Sequence, residues 1–191
     1  MIAAGGTLQV GNAGTTGTLG TGPVVDNGRL FFNRPDTTTV PNTISGTGVV
    51  RLITGTVILT GASIYSGITQ IDAGTTLQIG SGGTTGSLGT GNVIDRGTLV
   101  FNRSDDVNVA NSISQTWSVT QAGTGTTTLT ANSLYSGITT VTAGFLEPAG
   151  VRPVPSTAAG RRVGRVSGRR LTRHSRRSVW CRTRFANGHS A

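Results

Sequence analysis

Thr76-Leu77-Gln78-Ile79-Gly80 repeats Thr7-Leu8-Gln9-Val10-Gly11, and Gly83-Thr84-Thr85-Gly86-Ser87-Leu88-Gly89-Thr90-Gly91 repeats Gly14-Thr15-Thr16-Gly17-Thr18-Leu19-Gly20-Thr21-Gly22. Both pairs share one offset, 69. Phe32-Asn33-Arg34-Pro35-Asp36 and Phe101-Asn102-Arg103-Ser104-Asp105 keep that offset, whereas Tyr65-Ser66-Gly67-Ile68-Thr69 meets Tyr135-Ser136-Gly137-Ile138-Thr139 at 70. One residue is therefore gained between Ser114 and Gly125. The units are residues 2–70 and 71–140, and a third opens with Val141-Thr142-Ala143-Gly144 before the pattern stops at Phe145. Repetition over such a period is the signature of stacked supersecondary units.

Inside each unit apolar residues alternate with Thr, Ser or Gln, as in Leu8 and Val10, Leu30 and Phe32, Val57 and Leu59, Ile68 and Ile71. That period of two predicts strands with one buried face. Asp26-Asn27-Gly28, Asp95-Arg96-Gly97, Ser81-Gly82-Gly83 and Gly123-Thr124-Gly125 read as turns whose glycines supply positive φ. The interval from Leu8 to Leu30 recurs unchanged from Leu77 to Leu99. Short strands and Gly-rich corners at that spacing predict an all-β fold, a parallel β-solenoid with Leu8, Leu30, Leu77 and Leu99 pointing inward. An antiparallel sandwich or barrel is the alternative, but closure does not call for repetition at fixed phase.

The 191 residues include 30 Gly and only 9 aromatics, a composition that argues against a helical bundle. The net charge of +9 is unevenly placed: residues 1–144 carry five Arg against six Asp, while residues 145–191 carry eleven Arg against Glu147. His174, His189 and Cys181 also lie in that last segment, so residues 1–144 offer no imidazole or thiol for zinc, disulfide or nucleophilic chemistry. The start lacks a basic, then apolar, leader pattern, and no apolar run approaches the roughly 18 to 20 residues of a spanning helix. The sequence as written therefore predicts no export by its own means.

Thr56-Val57-Ile58-Leu59-Thr60-Gly61-Ala62-Ser63-Ile64-Tyr65-Ser66-Gly67-Ile68-Thr69 and Thr128-Leu129-Thr130-Ala131-Asn132-Ser133-Leu134-Tyr135-Ser136-Gly137-Ile138-Thr139, each running on toward Ala-Gly, resemble the autotransporter-associated β-strand repeat. The resemblance covers residues 2–144. Ala131, where the pattern and Gly61 have Gly, departs from it mildly. It implies a right-handed β-helix from the passenger of a bacterial surface autotransporter, carried to the outer membrane by a leader and a C-terminal barrel that are not recognisable in this sequence. It further implies a non-enzymatic stalk or adhesion surface, at the cell surface or secreted, that meets molecules of host or neighbouring cells. Two units without capping repeats also predict end-to-end self-association, because open coil edges template pairing.

Asp26 and Asp95 occupy equivalent places before turns, and Asp36 and Asp105 both follow Asn-Arg-x. Carboxylates paired across neighbouring coils would suit acid-base or calcium work in a β-helix polysaccharide-degrading enzyme, the first rival function. Turn capping by Asp is the simpler expectation, and the Asp105-Asp106 doublet reads as solvent-facing. Residues 17–22 superficially resemble a phosphate loop, but the chain has no Lys and Pro23-Val24-Val25-Asp26 is extended rather than helical. Tyr65, Tyr135, Phe32 and Phe101 recur in phase and are expected in an aromatic core stack more than on a carbohydrate platform. Trp117 stands where the first unit has Gly48. No catalytic, cofactor or metal site is expected.

The Arg-rich segment 145–191 could be an arm that binds nucleic acid or acidic lipid, the second rival. The genetic code offers a better account. Read from the third base of the Glu147 codon, residues 147–156 permit Thr-Gly-Gly-Gly-Thr-Thr-Gly-Ser-Leu, whose last seven residues equal Gly82 to Leu88. The segment is therefore expected to be a frameshifted, disordered tail with too few apolar residues to offset the entropy of ordering.

Overall fold

A computed structural model describes residues 1–115 and 118–148. The chain winds through about seven coils, each visiting up to three faces in the same order. The first coil holds β1 (Thr7–Val10) on face one and β2 (Val24–Val25) on face three; the second holds β3 (Arg29–Val40), bent across faces one and two, and β4 (Ile44–Ser45). Next come β5 (Val49–Leu59), likewise bent, then β6 (Thr69–Ile71) and β7 (Thr76–Ile79). The last three coils are complete: β8 (Val93–Asp95), β9 (Thr98–Phe101) and β10 (Val107–Val109); β11 (Ile113–Gln115), β12 (Ser118–Gln121) and β13 (Thr126–Leu129); β14 (Leu134–Tyr135), β15 (Thr139–Val141) and β16 (Phe145–Pro148). Every strand pair is parallel, and no helix occurs among the described residues. The solenoid is thus the fold, and the antiparallel alternative is excluded.

Parallel registry places like residues over one another. On face one, Leu30, Val50, Thr69, Val93 and Ile113 form one inward column; on face two, Val57, Leu77, Leu99, Val119 and Thr139 form another. Leu30, Val50, Leu77, Val93, Leu99, Ile113 and Val119 are all fully buried. Each such side chain contributes about 1.5–3 kcal/mol over remaining exposed, so the columns are a large part of the apolar stabilisation.

The sequence unit and the coil are not commensurate. Thr7–Val10 lies on face one, but its equivalent Thr76–Ile79 lies on face two; Thr56–Leu59 lies on face two, but Thr126–Leu129 on face three. Each unit therefore spans three turns plus one further face. The extra residue of the second unit sits in the corner between Gln121 and Thr126, since β12 keeps the 69 offset and β13 has moved to 70. Gln121, which takes the place of Leu52, is buried there and donates from Nε2 to the carbonyls of Gly123 (2.9 Å) and Gly125 (3.1 Å) of that corner.

Several expectations need correction. Leu8 is 41% exposed because no described coil lies beneath it, unlike Leu77, which is sealed on both sides. Ile68 faces solvent and Thr69 takes the inward place, its hydroxyl paired with the buried Tyr65 phenol at 2.7 Å. Gly28 and Gly97 do not supply positive φ. They are glycine because coils touch: a Cβ on Gly28 would stand 2.3 Å from the Gly6 carbonyl oxygen, and one on Gly97 2.4 Å from that of Thr75. Finally, Phe145–Pro148 continues the ladder as β16 against β13, inside the segment assigned to the tail, because backbone pairing needs no side-chain pattern. The rest of that segment, with the expected disorder, lies outside the described residues, as does Trp117.

Candidate functional site

The carboxylates of the sequence analysis separate into two kinds. Asp26 and Asp95 are fully buried, and in each Oδ1 accepts the backbone N–H two residues on, from Gly28 (2.9 Å) and Gly97 (3.0 Å). This is the Asx turn expected of Asp before Gly, but formed inside the solenoid. Burial pushes both carboxyls up, Asp95 to about 6, against the lowering effect of the single N–H donor. Asp36 and Asp105 instead lie at a coil corner. Arg34 donates from Nε and Nη2 to Asp36 (3.0 and 2.7 Å), and Arg103 does the same to Asp105 (2.8 and 2.6 Å). These hydrogen bonds hold both carboxyls below their usual range.

No carboxylate pair forms across neighbouring coils from these four residues. Asp26 is in the first coil and Asp95 in the fifth; Asp36 is in the second and Asp105 in the fifth. The Asp105-Asp106 doublet is also divided, for Asp106 accepts the backbone N–H of Thr126 in the next coil at 3.0 Å. Among the described residues no group of three or more His, Cys, Asp or Glu gathers.

The forked Arg has a second task that the sequence reading did not assign. Arg34 Nη1 donates to the Gly17 carbonyl at 2.6 Å, and Arg103 donates to the carbonyls of Gly86 and Thr84, the latter at 2.6 Å. Asn42 and Asn111 fasten the far end of each loop. Asn42 Nδ2 donates to Gly20 (3.1 Å) and Gly22 (2.6 Å), and Asn111 Nδ2 to Gly89 (2.8 Å) and Gly91 (2.6 Å). The Gly-Thr-Leu-Gly-Thr-Gly stretch thus turns carbonyls toward cationic and amide donors, opposite to a phosphate loop, which presents N–H groups. Asn42 and Asn111 are related by the offset of the repeat, so the repeat itself was the signal that could have found them.

Where these loops bridge from one coil to the next they leave a cleft in each unit, of about 300 Å³ in the first and 190 Å³ in the second. Leu19, Phe32 and Val40 line the first, and their equivalents Leu88, Phe101 and Val109 the second. The walls are apolar and the Asn at each mouth already serves the loop. Such a cleft can pack a small apolar group; Thr18, Thr21, Thr38 and Thr39 line the first and Ser87 and Thr90 the second, with no carboxylate, imidazole or thiol in either lining to activate a hydroxyl.

Of the recurring aromatics, Tyr65, Phe32 and Phe101 are core, while Tyr135, in the last coil, is half-buried with its hydroxyl 3.1 Å from Thr139 Oγ1. None forms an exposed platform. A further ion pair, Arg51 to Asp72 at 2.7 Å, joins successive coils, with the Arg51 guanidinium 5.9 Å from the Phe31 ring centroid.

The family described as passenger-associated-transport-repeat matches residues 54–79 and 119–147. No curated protein and no solved structure matches the chain. Each matched stretch contains one complete turn closed on itself: Thr56–Ile79 begins and ends with strands paired to each other, as does 126–147.

Proposed function

We propose that this chain, which carries two passenger-associated-transport-repeats on a β-solenoid, is a stretch of the passenger of a bacterial autotransporter and serves as a non-enzymatic stalk or adhesive display surface. The observation that carries this reading is where the repeat spends its chemistry. Its recurrent polar residues fasten one coil to its neighbour, through Arg34, Asn42 and their equivalents, or orient the group that does so, as Asp36 and Asp105 do. A unit built this way transmits load along the axis and leaves a Thr-rich exterior for contact with host or neighbouring-cell surfaces.

The incommensurate winding supports the display role. At about 4.8 Å per coil, one unit advances about 16 Å and turns by one face. Any side chain that the unit exposes therefore reappears on the three faces in rotation. Ile64 and Ile68 are exposed in the first unit, and Leu134 and Ile138 in the second, one face round. A surface of this kind meets partners from every side.

The test is to present the purified chain to cultured cells and to a panel of polysaccharides. Binding to cell surfaces with no release of new reducing ends is the expected outcome. Release of reducing ends would overturn the non-enzymatic reading in favour of the polysaccharide-degrading alternative, and retention by nucleic acid alone would favour the basic-arm alternative.

A further inference from the structure

The interior column Val10, Phe32, Leu52, Ile71 on face one is continued by Asp95, which pairs in register with Ile71. A carboxylate thus stands where four successive coils place apolar side chains. Asp26 holds the equivalent place in the first unit, bridged to Ile2. Each has one oxygen, Oδ1, on a backbone N–H, and in each Oδ2 is buried with no hydrogen-bond partner among the described residues. The next coil is shaped around Asp26: a Cβ on Gly48 would lie 2.3 Å from Asp26 Cγ and Oδ1 and 2.5 Å from Oδ2.

Among the described residues no cation neutralises either carboxylate, for the ion pairs there are Arg34–Asp36, Arg51–Asp72 and Arg103–Asp105. The titratable group that faces Asp26 from the elements packed on it is the buried Tyr65 phenol, whose own burial keeps it protonated. Asp95 has Asp72 at the end of β6, engaged by Arg51 and by Gln70 Nε2 (2.7 Å), and the exposed Arg96 beside it in the chain. An ionised carboxylate with a bare buried oxygen costs far more than the protonated acid, whose O–H can in addition serve as a donor.

We propose that Asp26 and Asp95 make the solenoid acid-strengthened: on mild acidification each takes up a proton inside the fold, and the coils that enclose it hold together more tightly. The direction follows from linkage. The folded chain binds the protons at a higher pH than the unfolded chain does, so folding stability rises as pH falls through the folded-state titration and levels off once the unfolded carboxyls are also protonated. With Asp95 at about 6 against an ordinary 3.8, the folding constant grows about tenfold between neutral pH and about pH 5 from this residue alone.

The experiment follows thermal and denaturant unfolding of the full chain between about pH 7.5 and about pH 5, for wild type and for Asp26→Asn, Asp95→Asn and the double variant. The amide mimics the protonated acid, so each single variant should gain its own aspartate's share at neutral pH and lose that share of the pH response, and the double variant should match the acid-strengthened wild type already at neutral pH and lose the response of both. His174 and His189 are present in every form, so the difference between forms isolates the aspartates. Should a variant fail to fold, carbon-13 titration of the wild-type Asp carboxyls decides the matter: two of the six should have midpoints clearly above the rest. A wild type whose stability is flat or falling over this range, or six Asp carboxyls that all titrate at ordinary values, would overturn the proposal.

Discussion

Gly22 and Gly91 occupy the same position of the two units, neither has a positive φ, and each offers its carbonyl to the same Asn contact, yet Ala should be welcome at one and damaging at the other. A Cβ on Gly22 meets nothing within 4 Å. Gly22→Ala then acts mainly through the unfolded chain, which it stiffens, for a gain of about 0.4–1 kcal/mol. A Cβ on Gly91 would stand 2.0 Å from the Gly67 carbonyl oxygen and 2.6 Å from both Gly67 C and the Ser66 oxygen. All three are backbone atoms of the coil below, so no rotamer can relieve the clash; the coils must part by about 1 Å to reach even the closest approach real Cβ atoms show. Overpacking of that kind costs about 3 kcal/mol. For a chain of this size the two variants should melt roughly 6–12 °C or more apart. Circular dichroism melts with denaturant titration would measure it, and limited proteolysis would place the first cuts of Gly91→Ala near the loops of residues 80–92. Equal shifts for the two variants, or a larger loss for Gly22→Ala, would refute the argument that coil contact rather than sequence position sets the need for glycine.

Asn111→Ala removes two hydrogen bonds to loop carbonyls and leaves Gly89 and Gly91 oxygens unpaired, so denaturant titration should register a loss of about 2 kcal/mol. Leu77→Ala empties a sealed column position and should cost about 2–5 kcal/mol, whereas Leu8→Ala, at a half-exposed site, should cost less than about 1 kcal/mol; equilibrium unfolding of the pair checks the ratio. Asp36 and Asp105 titrate below their ordinary value because of Arg34 and Arg103, so the stability they lend is present above the unfolded value and lost as pH falls through the folded one. Their loss should follow the gain from Asp26 and Asp95, and melting temperature plotted against pH should pass through a maximum on the acid side of neutrality, a maximum that high salt sharpens little.

The β content, the parallel stack and the inward rows were legible in the residues, because alternation, turn composition and a recurring unit are local properties that a strand expresses wherever it lies. Leu30, Leu77, Leu99, Phe32 and Phe101 were readable as core on that ground alone. What could not be read was which positions have a coil above and below them. Leu8 and Leu77 sit in the same short motif, as Gly22 and Gly91 sit in the same loop, and their fates differ only through neighbours a full coil away along the chain. The same holds for Arg34, Asn42 and Asp95. The sequence marks each as polar and recurrent, but whether a polar group fastens a loop, caps a corner or lies stranded in an apolar column depends on the phase of the winding. That phase, three turns and one face per unit, arises from summing every corner's length around the stack, so no single motif encodes it.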